Sequence, residues 1–210
     1  MNIINLNSTP LWQTDFADFA QYKDEFLSIV EEYIQENPEG DSISNIGGYQ
    51  SPKLLHQKQG MNPLLEVISS MSHRACLDLN IKDIVIAITE TWVNVNKRGA
   101  MNVEHAHGDI LSGVFYLKLP KDENKGSLYF RNKNVVPSWD GYNLIGSGDR
   151  NEFTAEVVKM NPEEGQIIIF PSHVMHGVQP HFSDDDRISI SFNITAIPKE
   201  YMEQNSEESN

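Results

Sequence analysis

The sequence predicts an α+β protein whose β part closes as a barrel or a sandwich. Three observations lead there: two helix-periodic segments come first, short β-branched and aromatic runs follow after Leu79, and no helical period separates those runs. From Thr14 to Asn37, Phe16, Phe19, Tyr22, Phe26, Val30 and Tyr33 recur every three or four residues, with acidic residues between them and Pro38 and Gly40 beyond. That spacing predicts an amphipathic helix. Residues 41–60 hold Gly47, Gly48 and Pro52 without a sustained period, which predicts an ordered loop. Asn62 is expected to cap and Pro63 to open a second helix, with Leu64, Leu65, Val67, Ile68, Met71 and Ala75 as its buried stripe and Cys76 buried near its end. Strands are expected at 84–96, 112–119, 127–131, 153–160, 166–170 and 187–195, each bounded by Gly, Pro, Asn or Asp. One domain spans 1–199, with a helical part over 12–80 and a β-core over 83–197; the acidic stretch 200–210 is expected to fray.

Composition narrows the function classes. The chain has 210 residues, 39% hydrophobic and 22% charged, enough to bury a sizeable single core. Thirty acidic against sixteen basic residues give a formal charge of −14, which repels phosphate backbones and anionic lipid, so nucleic acid and membrane surfaces are poor partners. Cys76 is the single cysteine, which excludes an intrachain disulfide, a zinc ribbon and a CxxC pair. The opening residues Met1 to Leu6 carry no basic segment followed by a long apolar one, and a cytoplasmic setting is expected. An exposed helical pair near the N-terminus would offer a surface for a homodimer.

Four of the seven histidines fall in two short stretches, His105-Ala106-His107-Gly108-Asp109 and Ser172-His173-Val174-Met175-His176. An extended chain places residues two apart on one face, so His107 and Asp109 can offer an imidazole nitrogen and a carboxylate oxygen to one ion. His176, following an apolar strand, supplies a third ligand if that strand lies in the same barrel. Two histidines and a carboxylate on one face of an octahedron suit non-haem Fe(II) oxygenases. Arg187 opens the last strand with Ser189 on the same face. A guanidinium turned into a barrel needs an anion, and its fork matches a carboxylate. The competing reading pairs Arg187 with Asp184, Asp185 or Asp186 beside it.

Trp92-Val93-Asn94-Val95-Asn96, His105 to Asp109, Ser112 to Leu117, Gly126-Ser127-Leu128, Phe170 to His176 and Arg187 to Asn193 together resemble the 2-oxoglutarate and Fe(II)-dependent oxygenases of the prolyl-hydroxylase-like superfamily. The likeness is greatest to a branch found in marine bacteria and their viruses, which would place a viral protein in the host cytoplasm. The resemblance spans residues 5–195. It implies a double-stranded β-helix of the jelly-roll or cupin-like kind, and an enzyme that uses Fe(II), 2-oxoglutarate and O2, with hydroxylation the expected outcome. It also implies metal ligands at His107, Asp109 and His176, and an oxoglutarate carboxylate bound by Arg187. Ser189, Tyr116 and Asn94 are candidate oxoglutarate contacts. Members of this branch often show His-x-His, so the first pair of ligands is alternatively His105 with His107, with Gly108-Asp109 as a hairpin turn. The substrate is open between a small molecule and a peptide side chain. Two further readings are a cupin-like metal enzyme using His105, His107 and His176 without oxoglutarate, and a non-catalytic virion or structural β-domain.

Overall fold

The stretch Leu111–Lys118 is apolar on both faces, so it has to be covered twice. Leu111, Phe115 and Leu117 join one hydrophobic cluster, while Val114 and Tyr116 between them join another. The same alternation recurs at Ile167 and Ile169 against Ile168 and Phe170, the pattern of a central strand between two layers. A computed structural model describes residues 8–121, 125–132 and 155–201. Its elements are β1 (Trp12–Asp15), α1 (Phe19–Glu36), β2 (Asn45–Ile46), β3 (Tyr49–Gln50), α2 (Asn62–Asp78), β4 (Ile84–Asn96), β5 (Met101–His105), β6 (Leu111–Lys118), β7 (Leu128–Arg131), β8 (Val157–Met160), β9 (Gln166–Pro171), β10 (His176–Val178) and β11 (Arg187–Pro198).

Two antiparallel sheets form, one in the order β1-β9-β6-β11-β4-β3 and one in the order β2-β5-β10-β7-β8. Leu128 and Phe130 of the smaller sheet meet Val114, Tyr116, Ile168 and Phe170 of the larger, which fills part of the space between them. The other face of the larger sheet carries the helices: Phe26, Val30 and Tyr33 of α1 and Leu64, Ile68 and Ala75 of α2 share a core with Val93, Val95, Ile190 and Phe192. Phe115 anchors that layer, its ring meeting those of Phe16, Phe19 and Phe26 edge-on at 5.9–6.1 Å. This is the double-stranded β-helix with helices packed outside it. None of the described helices is long and apolar enough to cross a membrane.

Several boundaries differ from expectation for identifiable reasons. The first helix begins at Phe19 rather than Thr14, because Trp12–Asp15 pairs with Ile169–Gln166 as an edge strand and alternates half-buried with exposed residues. Asn62 lies inside α2, with Met61 in the capping position and Pro63 in the first turn. The loop 41–60 holds two short strands, β2 on β5 and β3 on β4. The expected strand 153–160 is a strand from Val157 onward, and residues 153–154, like 202–210 of the acidic tail, lie outside the described residues. Gly113 shows how tightly the layers approach: a Cβ there would stand 2.4 Å from the Phe192 ring and 2.6 Å from the Ile168 carbonyl oxygen.

Candidate metal and dicarboxylate site

The inward faces of the two sheets build a narrow cavity of about 40 Å³, lined by His105, His107, His176, Trp92, Asn94, Tyr116, Arg187 and Ser189 among others. His105 ends β5 and His176 opens β10, and the two are direct cross-strand partners. His107 follows two residues after His105, its backbone N–H donating to the Ser172 carbonyl at 2.9 Å, which ties the end of β5 to the turn before β10. One ligand atom from each of these three imidazoles lies within 4.8 Å of the other two. The His105 Nδ1 lies 2.7 Å from the Val103 carbonyl and the His176 Nδ1 2.9 Å from the Val174 carbonyl. Each carbonyl holds a proton on Nδ1 and leaves Nε2 with a free lone pair, the tautomer that binds a metal. Burial, then the positive-going neighbours His105 and Lys53, push His107 down to about 4. Burial pushes His176 down to about 3, against the Val174 carbonyl, which favours the protonated ring. Both rings are therefore neutral at physiological pH, the form in which an imidazole can bind a metal.

Asp109, expected as the carboxylate ligand, lies outside this group. Its Oδ1 accepts a hydrogen bond from the Thr89 hydroxyl at 3.2 Å. The same-face argument that paired it with His107 needs an extended chain, and the backbone bends at 108–110 before β6 begins. The histidine pair His105 and His107, the alternative ligand register, is the one the backbone brings beside His176.

Arg187 is 1% exposed. Its Nη1 donates to Ser189 Oγ at 3.1 Å and reaches Asn96 Oδ1 at 3.4 Å, while Nε is buried with no partner among the described residues. The neighbouring aspartates do not neutralise it: Asp184 pairs with Arg98 at 3.0 Å. Above the guanidinium lies the Tyr116 ring, 5.2 Å from Cζ to ring centre. The Tyr116 hydroxyl and the Asn94 Oδ1 are also buried without a hydrogen-bond partner among the described residues, although Asn94 Nδ2 donates to Ser191 Oγ at 3.0 Å. Burial pushes the Tyr116 hydroxyl up to about 12 against the opposing charge of Arg187, and it pushes the guanidinium down. A buried cation, a neutral phenol and orphaned polar atoms in one cavity are costly unless an anion completes them. A carboxylate facing Arg187 would supply that anion, so the donor set fits a carboxylate ligand in the cavity that the three histidines also line.

Sequence reasoning missed two features here. Trp92, given no role of its own in the sequence analysis, lines the cavity and places its ring 5.7 Å from that of His107. His181, given no role in the sequence analysis, is fully buried, with Nε2 2.8 Å from the Asn96 carbonyl. The even spacing of Trp92 with Asn94 along one strand was the available signal for the first; nothing local marked the second.

Comparison with known proteins bears on the same residues. The family model described as "Putative 2OG-Fe(II) oxygenase" matches residues 90–193. A prolyl-4-hydroxylase from Pseudomonas putida superposes with a TM-score of 0.61 at 15% identity, covering 89% of this chain and 93% of that one. A prolyl hydroxylase from Trichoplax adhaerens, solved with a hypoxia-inducible-factor peptide, gives 0.62 at 17% identity over 92% and 86%. HygX from Streptomyces hygroscopicus, solved with nickel and 2-oxoglutarate, gives 0.57 at 12% identity over 89% and 83%. No curated protein matches the sequence.

Proposed function

We infer, from a chain whose residues 90–193 match the 2OG-Fe(II) oxygenase family model, that the cavity couples oxoglutarate decarboxylation to hydroxylation of a substrate C–H bond. His105, His107 and His176 would hold Fe(II), and Arg187, Ser189, Tyr116 and Asn94 the far carboxylate of oxoglutarate. Iron so held supplies O2 activation, with oxoglutarate as reductant leaving as succinate and CO2. The carbonyl contacts on His105 and His176 fix the direction of their lone pairs. Arg187 orients the dicarboxylate through a charge-assisted fork, and Tyr116, kept as a neutral phenol, donates to the same carboxylate. Trp92 and Phe170 wall the cavity and keep water from the reacting atoms.

The observation that carries this reading is the buried Arg187 without a carboxylate partner among the described residues, in the same cavity as the histidine cluster. A cupin-like enzyme without oxoglutarate uses the same three histidines but leaves that guanidinium uncompensated, and is not favoured. The single cysteine, buried in α2, accords with a reducing, cytoplasmic setting. Anaerobic titration with Fe(II) and oxoglutarate tests the assignment. A visible charge-transfer band that needs both components is expected; its absence, with no oxoglutarate binding by calorimetry to the Mn(II)-loaded protein, overturns the reading.

A further inference from the structure

We propose that Lys53, Glu90 and Trp92 recognise the head group of a free α-amino acid, whose side chain passes Trp92 to reach the three histidines. The inference rests on the oxygenase reading and extends it to the substrate class. Strand register stacks the inward side chains in rows along the barrel. Arg187 pairs with Asn96; Ser189 with Asn94 and Tyr116; Ser191 with Trp92 and Val114; Asn193 with Glu90 and Ser112. A dicarboxylate held by Arg187 fills the first rows. The row carrying Glu90 is then the one left to a second reactant.

That row is polar and continuous. The Ser172 and Ser112 hydroxyls are 2.7 Å apart, Ser112 Oγ donates to Asn193 Oδ1 at 2.8 Å, and Asn193 Nδ2 donates to Glu90 Oε2 at 2.7 Å. Lys53 Nζ donates to the same Oε2 at 2.9 Å and stands 5.3 Å over the Trp92 ring. The serines and Asn193 are buried, whereas the side chains of Lys53 and Glu90 are 31% and 33% exposed. The ion pair is thus the outer end of a chain that begins in the cavity.

An exposed ion pair usually wastes much of its attraction on side-chain entropy. Here a buried asparagine fixes the carboxylate and an aromatic face seats the ammonium. Glu90 Oε1 accepts no hydrogen bond from the described residues, and among them only Glu90 hydrogen-bonds the three-donor ammonium. A fixed anion and a fixed cation side by side, each with bonding capacity left, complement a ligand with an ammonium and a carboxylate on one carbon. A ligand bearing a single charge would meet repulsion from one member of the pair.

Calorimetry on Mn(II)-loaded protein with saturating oxoglutarate, against free L-amino acids, their N-acetyl and amide derivatives, and short peptides, tests the proposal. One or a few free amino acids should bind, with either derivative weaker by about tenfold or more, the loss expected for one charged hydrogen bond. Lys53→Met and Glu90→Gln should each weaken the amino acid similarly and leave oxoglutarate affinity unchanged. Peptides or blocked amino acids binding as well as free ones overturn the proposal, as does no amino-acid binding while oxoglutarate binds; the oxygenase reading survives both. Failure of oxoglutarate itself to bind overturns the two together. The blocked ligands need no variant, so a misfolded mutant cannot hide the answer.

Discussion

His105 and His176 face each other across the antiparallel pair β5–β10 with ring centres 4.4 Å apart. A ligand pair formed by direct cross-strand neighbours is held by backbone hydrogen bonds on both sides, so its spacing is set before any ion arrives. His105→Ala should therefore abolish tight Mn(II) binding, while Asp109→Asn, whose carboxylate meets Thr89 instead, should leave it intact. Mn(II) titration followed by electron paramagnetic resonance checks this, and the reverse pattern would return Asp109 to the ligand set.

Arg187→Ala should retain metal and bind oxoglutarate weaker by ~2–5 kcal/mol, the usual range when one member of a buried charge pair is truncated. Arg187→Lys should recover part of the loss, because an ammonium cannot form the fork. Calorimetry of the Mn(II)-loaded variants reads both.

Metal-free protein should lose stability as the solution is acidified. His107 and His176 are held down to about 4 and about 3, while unfolded histidines titrate near ~6.5. Below that pH the unfolded chain takes up protons that the folded chain refuses, so unfolding is favoured, by up to about 1.4 kcal/mol per pH unit for each histidine. Above it both states are neutral at these positions and the contribution is flat. Urea midpoints between pH 8 and 4.5 should fall only in the lower half, and His107→Gln should reduce the slope.

Gly113→Ala should destabilise by about 1–3 kcal/mol or more, the cost of overpacking a filled core, because the added methyl meets both the Phe192 ring and the Ile168 backbone. Phe192→Leu in the same background should recover part of it if the ring is the obstacle; denaturant melts decide.

The long strands were legible because their apolar residues run in blocks: Ile84–Asn96 was expected with the bounds it has, and β6, β7, β9 and β11 within a few residues. Strands β1, β2, β3, β5 and β10 were not. They are two to five residues long, and their pairing partners, not their own periodicity, make them strands. The site was partly legible for the same reason. His107, His176, Arg187, Ser189, Tyr116 and Asn94 all line one cavity, whereas the choice between Asp109 and His105 turned on where the chain stops being extended. A bend at 108–110 carries no apolar pattern to announce it.

The all-imidazole donor set has an electroneutrality consequence, because a histidine binds a metal as the neutral ring. An iron(II) ion on three neutral donors would retain its full double charge in the cavity that Arg187 also lines. Oxoglutarate brings two negative charges, one for each of these positive centres. Cation and dianion should consequently load as a couple, each raising the affinity for the other by one common factor, as thermodynamic reciprocity requires. Titrating Mn(II) with and without oxoglutarate, and oxoglutarate with and without Mn(II), would measure that factor twice by independent routes.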